Sequence, residues 1–238
     1  MRSATSVAGV LALGAFAAVA AGLGPPLLDA SKHRSSHVIG FADALAAGMM
    51  LGIGYSLMNW GIIRAPIAAT IGAAVGVGVM FLAHVRLGIG DPTAELRGRR
   101  ALIASMAHAT PEGVALGAAA ALGQMVAVVV AATLAIHNIS ESAVLASHLS
   151  PRSRVGTRGS LVAVESNLPQ VVFGVVAFVL ARWRPSLVGP LLGFSFGSLV
   201  YLCFAELIPD SYRTAGRSSI AVVVTVAAGV VALVSGAV

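Results

Sequence analysis

Charge is scarce in this 238-residue chain: only 10% of its residues are Asp, Glu, Lys or Arg, while 58% are hydrophobic and the mean hydropathy is +0.93. Soluble domains carry about 25% charged residues, so the composition excludes that class. Cysteine is limited to Cys203, inside an apolar run. That excludes a disulfide framework and a thiolate metal cluster and leaves redox chemistry unsupported. The net charge of +6 comes from arginines scattered through short connections, with a single lysine, Lys32, so no nucleic acid is expected as a partner. Low-complexity tracts and long linkers are missing, and no internal repeat is visible beyond one paired motif.

What the chain has is apolar runs, each long enough as a helix to cross a hydrocarbon core about 30 Å thick. Bounded by charge, Pro or Gly, eight are predicted, at about 4–24, 37–60, 65–85, 101–122, 125–149, 160–181, 187–208 and 218–237. The expected fold is therefore an all-α polytopic protein of the lipid bilayer, one transmembrane domain over residues 1–238. The longest connection runs from His84 to Arg100, where Gly88, Gly90, Asp91 and Pro92 mark turns. Eleven of the 15 basic residues fall in connections one, three, five and seven: Lys32, Arg34, Arg86, Arg97, Arg99, Arg100, Arg152, Arg154, Arg158, Arg213 and Arg217. The positive-inside rule makes that side cytoplasmic and places both termini outside a cytoplasmic (inner) membrane. A cleaved signal peptide is the alternative for the first span, but Gly24-Pro25-Pro26 reads as a turn.

Of nine acids, five fall inside predicted spans: Asp43, Glu112, Glu141, Glu165 and Glu206. An ionised group in mid-membrane costs about 3 kcal/mol on insertion scales, so these must face protein, water or a cation. His108 and Glu112 are four residues apart on the fourth span, and His137 and Glu141 repeat that spacing on the fifth. Each pair occupies one helix face, and the short connection at Gly123 makes the two helices antiparallel neighbours. Two imidazoles and two carboxylates then converge without a Lys or Arg in either span, a donor set suited to a divalent metal. The alternative for the same residues is a His–Glu hydrogen bond between helices. Pro111 removes the partner of the Ala107 carbonyl, and Asn138 adds an oxygen beside His137. Glu165, followed by Ser166, Asn167 and Pro169, is a further polar interruption. Asp43 and Glu206 near the inner ends of their spans, with Asp210 and His148 at the membrane edge, suggest a polar route to the inner face. On the outer half Met49, Met50, Ser56 and Asn59 either line a path or pack.

The His-x-x-Pro-Glu-Gly of residues 108–113 followed by the His-Asn-x-x-Glu of 137–141 resembles the ZIP family of divalent metal transporters, nearest its bacterial GufA-type branch. Ala47-Gly48-Met49-Met50-Leu51 and Glu206-Leu207-Ile208-Pro209 add weaker likenesses. The resemblance implies eight helices arranged as three, two and three, with metal between the fourth and fifth. It implies His108, Glu112 and Glu141 as primary ligands, with His137 and Asn138 completing the fifth-helix motif. Glu165 matches an acid that supports a second metal, and Met49 and Ser56 match pathway positions. The chain departs from the pattern at Ala109, where the family usually has Asn, at Ser140 and Ser142 around Glu141, and in its third connection, where His84 stands alone.

The expected function is transport of Zn²⁺, with Fe²⁺, Mn²⁺ or Cd²⁺ as other candidates, toward the cytoplasm by a protein that is not an enzyme. Two competitors use the same residues. An intramembrane metal-dependent hydrolase could take Glu165 as its base, but no His-Glu-x-x-His signature occurs. A proton or monovalent-cation channel would not need two imidazoles. Gly72, Gly76 and Gly78 permit close helix contact within the protomer or across a homodimer.

Overall fold

The computed structural model describes residues 5–30, 36–87, 99–148, 156–214 and 216–238. Among them every regular element is a helix. A chain this apolar has little else available, because backbone groups in a hydrocarbon layer must be satisfied within their own segment. Among the described residues eight helical runs result. Run one is Val7–Ala21 and Gly24–Ala30, run two Ser36–Arg64, run three Pro66–Leu87, run four Arg99–Leu122 and run five Gln124–His148. Run six is Gly156–Ser166 and Leu168–Trp183; run seven is a short turn at Pro185–Leu187, then Val188–Leu202, Cys203–Leu207 and Ile208–Thr214; run eight is Arg217–Gly236.

Seven of these are long and apolar enough to cross a membrane. Run four has a comparable 24 residues but is more polar, with Ser105, His108, Thr110 and Glu112 along it. Its surroundings explain that composition: residues 111–120 are buried without exception, so protein rather than lipid faces it.

Helix packing reveals an internal repeat that the sequence conceals. Runs three and seven pair, as do eight and two; four pairs with six, and five with one; seven with four, and two with five. Exchanging runs one to three with runs six to eight, and run four with run five, leaves this pattern unchanged. A shift of five runs in an up-and-down bundle reverses direction, so the repeat is inverted, with two central runs between two groups of three. Corresponding interruptions support the match: run one breaks at Gly22 and Leu23, run six at Asn167.

The pairing of runs three and seven depends on glycine. Cβ atoms at Gly72 and Gly76 would strike the carbonyl oxygens of Pro190 and Phe194, and at Gly193 and Gly197 those of Ala69 and Ala73. Backbone carbonyls cannot move aside, so the small residues set this approach within the protomer. Gly78 has nothing nearby and contributes no such contact. Between the groups lies one apolar core, including Met49, Met50, Ile53, Leu57, Leu116, Leu134 and Leu199.

Candidate metal site

Run four enters with Arg99 at the basic side and places His108, then Glu112 one turn deeper; run five returns antiparallel and presents His137, then Glu141. The faces meet as the spacing predicts. His137 Nε2 lies 3.0 Å from Glu112 Oε1 and 3.4 Å from Glu141 Oε2, and one donor atom each of Glu112, His137 and Glu141 lies within 4.8 Å of the others. Glu112 is 0% exposed and His137 1%. At that separation two ionised carboxylates repel by about 3 kcal/mol for an effective dielectric constant near 20. Arg99 and Arg100 at the start of run four are two or more turns away from His108, and residues 101–148 include no Lys or Arg to offset this.

The close contacts lack hydrogen-bond direction. Among the described residues both ring nitrogens of His137 and both oxygens of Glu112 have no hydrogen-bond partner. Fully buried donors left in that state are rare unless something else satisfies them. Lone pairs converging on one point, with negative charge in excess, form a site for a divalent cation. Ser105 Oγ donates to Glu141 Oε1 at 3.3 Å and holds that carboxylate from the far side.

His108 stands one step further out. Its Nδ1 is 3.6 Å from Glu141 Oε1, and its Nε2 is 2.9 Å from Glu206 Oε2. Glu206 in turn reaches His84 Nε2 at 2.7 Å. Imidazoles and carboxylates therefore alternate as Glu112, His137, Glu141, His108, Glu206 and His84. The string leads from the centre of the bundle toward the ends of runs three, four and seven that adjoin the arginine-rich connections. Asp43, buried on run two, lies within electrostatic reach of Glu141, Glu206 and Asp210 and extends the acidic side of this path. Asp210 at the rim pairs with Arg213. In the opposite direction Met49 and Ser56 are buried, and Ser56 Oγ donates back to the Gly52 carbonyl at 3.2 Å.

Asn138 sits at the back of the motif. Its amide donates to the Ala17 carbonyl at 3.0 Å and to Gln170 Oε1 at 2.8 Å, tying run five to runs one and six, and its own Oδ1 has no partner among the described residues. Glu165 is exposed on run six, on the same face as exposed Leu161 and Leu168, and does not join the gathered groups. His148 ends run five, and its side chain lies outside the described residues.

Two participants escaped the sequence reading. His84, taken there as the start of a loop, lies on a helix that continues to Leu87 and is buried against Glu206. The signal was available: Gly72, Gly76, Met80 and His84 recur every four residues and form the buried stripe of run three. Gln170 follows Pro169 as an isolated polar residue in an apolar stretch, is fully buried and orients Asn138. The interruptions are also informative: Asn167 separates the two helices of run six, and Glu206 lies in a π-helical turn at Cys203–Leu207, a device frequent at functional sites.

No family model matches the chain. It is similar to a "Putative zinc transporter" of Arabidopsis thaliana, with 27% identity over 114 residues, 48% of this chain and 18% of the relative. The chain thus aligns with about a fifth of that curated relative's length. The seven long apolar helices are those of a multi-pass membrane protein. The likeness gives no support to the GufA-type branch in particular.

Proposed function

We propose that the protein is a ZIP-type transporter that carries Zn²⁺ or a similar divalent ion across the cytoplasmic membrane toward the cytoplasm. The observation that carries this reading is the meeting of Glu112, His137 and Glu141 at the centre of the bundle, the first two fully buried and Glu141 partly so, with no Lys or Arg in residues 101–148. A permanently unfilled site of this kind is electrostatically costly; one that a passing cation fills and leaves is a transport site. The ion is substrate here, and a neutral imidazole with two carboxylates suits Zn²⁺, Fe²⁺, Mn²⁺ or Cd²⁺.

Two features support transport over hydrolysis. The string of alternating His and acid residues leads from the triad toward the arginine-rich side, while Met49, Ile53, Leu57 and Leu134 belong to the apolar core. With the arginine-rich side cytoplasmic and both termini outside, this is an inward-facing arrangement. The inverted repeat supplies the second, since two packings related by its pseudosymmetry expose a central site alternately to each side. Glu165, the base a hydrolase would need, is exposed on run six and is not among the gathered groups.

The test is Zn²⁺ uptake into proteoliposomes. His137→Ala and Glu141→Ala should reduce uptake to the protein-free level while helical content is retained. Wild-type uptake by either variant would overturn the reading, and cleavage of lipid or peptide without metal flux would favour the hydrolase.

A further inference from the structure

We propose that Ser142 is a positioning residue for the metal triad: it bonds run five to the break in run one and so fixes where His137 and Glu141 point. This role deepens the transport reading, on which it rests. Run one is helical to Ala21, turns at Gly22 and Leu23, and resumes at Gly24. The helical partner of the Ala21 carbonyl would be the N–H of residue 25, and Pro25 has none. A buried carbonyl in that state costs free energy unless a donor comes from elsewhere. Ser142 Oγ supplies one from run five at 2.6 Å, and Ser142 is 2% exposed. The hydroxyl also lies 3.1 Å from the Ile139 carbonyl of its own helix, but it has one proton, and the shorter contact is the one between helices.

The tie is repeated one turn away. Asn138 Nδ2 donates to the Ala17 carbonyl at 3.0 Å, so residues four apart on run five meet carbonyls four apart on run one. Runs one and five are parallel there, and the four-residue step keeps each pair on one face. Gly24 closes the same contact. A Cβ on it would strike Ser142 Oγ and the Ile139 carbonyl oxygen and would lie 2.7 Å from the Ala143 nitrogen. The resumed helix of run one therefore presses on the backbone of run five immediately beyond Glu141.

Asn138 and Ser142 each follow a triad residue, His137 and Glu141, by one position, a step of about 100° around the helix axis. Run five thus carries two stripes, one bonded to run one and the other turned to run four, and fixing the first fixes the second. A rotation of about 10° moves a Cα, about 2.3 Å from the axis, by roughly 0.4 Å. Metal–ligand distances tolerate only about 0.2 Å. Satisfying a bared carbonyl does not by itself call for a neighbouring helix. At the corresponding break in run six, Asn167 N bonds to the Val164 carbonyl, and the Ala163 carbonyl takes its donors locally, from Ser166 Oγ at 2.8 Å and Asn167 Nδ2 at 3.0 Å. Run one instead takes its donor from the residue that follows a metal ligand, which couples its bend to the ligand stripe.

The experiment is Zn²⁺ binding to the detergent-solubilised full chain by calorimetry, with uptake into proteoliposomes in parallel. Ser142→Ala should weaken binding by about 10-fold, the lower end of the range for loss of an outer partner, because Ser142 acts at one remove from the ligands. A role confined to holding the bundle together would lower only the unfolding midpoint of the zinc-free protein and leave the dissociation constant unchanged. Ser147→Ala is the control: its hydroxyl donates to the Val144 carbonyl within run five, so affinity should stay at the wild-type value. Pro25→Ala breaks the same tie from the other side by giving the Ala21 carbonyl a backbone donor. It should weaken binding too, and combined with Ser142→Ala it should add less than about twofold, since both remove one interaction. Wild-type affinity in Ser142→Ala, or single losses that multiply in the double variant, would overturn the positioning role; should Ser142→Ala not fold, wild-type affinity in Pro25→Ala would overturn it equally. Absence of wild-type Zn²⁺ uptake, with the ion bound and the Ser142 effect on affinity intact, would instead overturn the transport reading and leave the positioning role in place.

Discussion

Gly113 follows the most buried ligand, Glu112, and faces run six. A Cβ at this position would run into the carbonyl oxygen of Gln170 and lie 2.9 Å from that residue's carbonyl carbon and Cα, where ordinary contact begins at 3.4 Å. These are backbone atoms of a helix and cannot rotate away. Gly113→Ala must therefore separate runs four and six by at least about 0.5 Å to clear the carbon atoms and by more to clear the oxygen, well beyond the 0.2 Å or so that a metal–ligand distance tolerates. Overpacking of this kind costs about 1–3 kcal/mol. Where that strain is borne by the site, Zn²⁺ affinity falls by about 5- to 150-fold. The shift is transmitted twice, directly through Glu112 and through Gln170 to Asn138 on run five. The assay is Zn²⁺ binding by calorimetry together with uptake into proteoliposomes. Gly78→Ala is the control: nothing lies within 4 Å of its added methyl, so affinity stays unchanged and the helix gains up to about 1 kcal/mol. Wild-type affinity and uptake in Gly113→Ala would refute the argument that close helix approach holds the ligands in place.

Other perturbations have defined outcomes. Zn²⁺ at 100 times its dissociation constant should stabilise the wild type by about 2.7 kcal/mol, and Glu141→Gln should cancel that gain in a thermal-shift measurement. Asn138→Leu removes two buried hydrogen bonds and leaves Gln170 Oε1 unsatisfied, so zinc-free stability should fall by about 1–3 kcal/mol; an unchanged unfolding midpoint would show that the tie to Ala17 and Gln170 carries little. Because the imidazole must be neutral and both carboxylates ionised to bind metal, Zn²⁺ affinity should fall as pH is lowered. Binding should release protons, seen as a buffer-dependent heat, and a pH-independent affinity would contradict the ligand set.

The sequence was most legible where spacing and chemistry coincide. The two four-residue His–Glu pairs specify a face on each of two adjoining helices, and the structure joins those faces without rearrangement. Apolar length located the helical runs, with run four as the instructive exception: its polar residues are tolerated because ten consecutive residues there touch only protein. The inverted repeat was not legible, since it resides in which helices pair rather than in residue identity. His84 was obscured by proximity to a turn-rich segment, although its register with Met80 and Gly76 marked the buried face. Glu165 shows the reverse difficulty. Neighbouring polar residues suggested a ligand, but a single rotation about the run six helix separates its exposed side chain from buried Ser166 and Asn167, and only packing fixes that rotation.

The central claim is that two adjacent membrane helices hold one cation between Glu112, His137 and Glu141. Anomalous scattering at the zinc absorption edge from crystals grown with Zn²⁺ tests it most directly. A peak about 2.0–2.2 Å from His137 Nε2 and from one oxygen of each carboxylate is the predicted result. Density confined to other positions, with these three side chains bonded only to one another, would contradict the account.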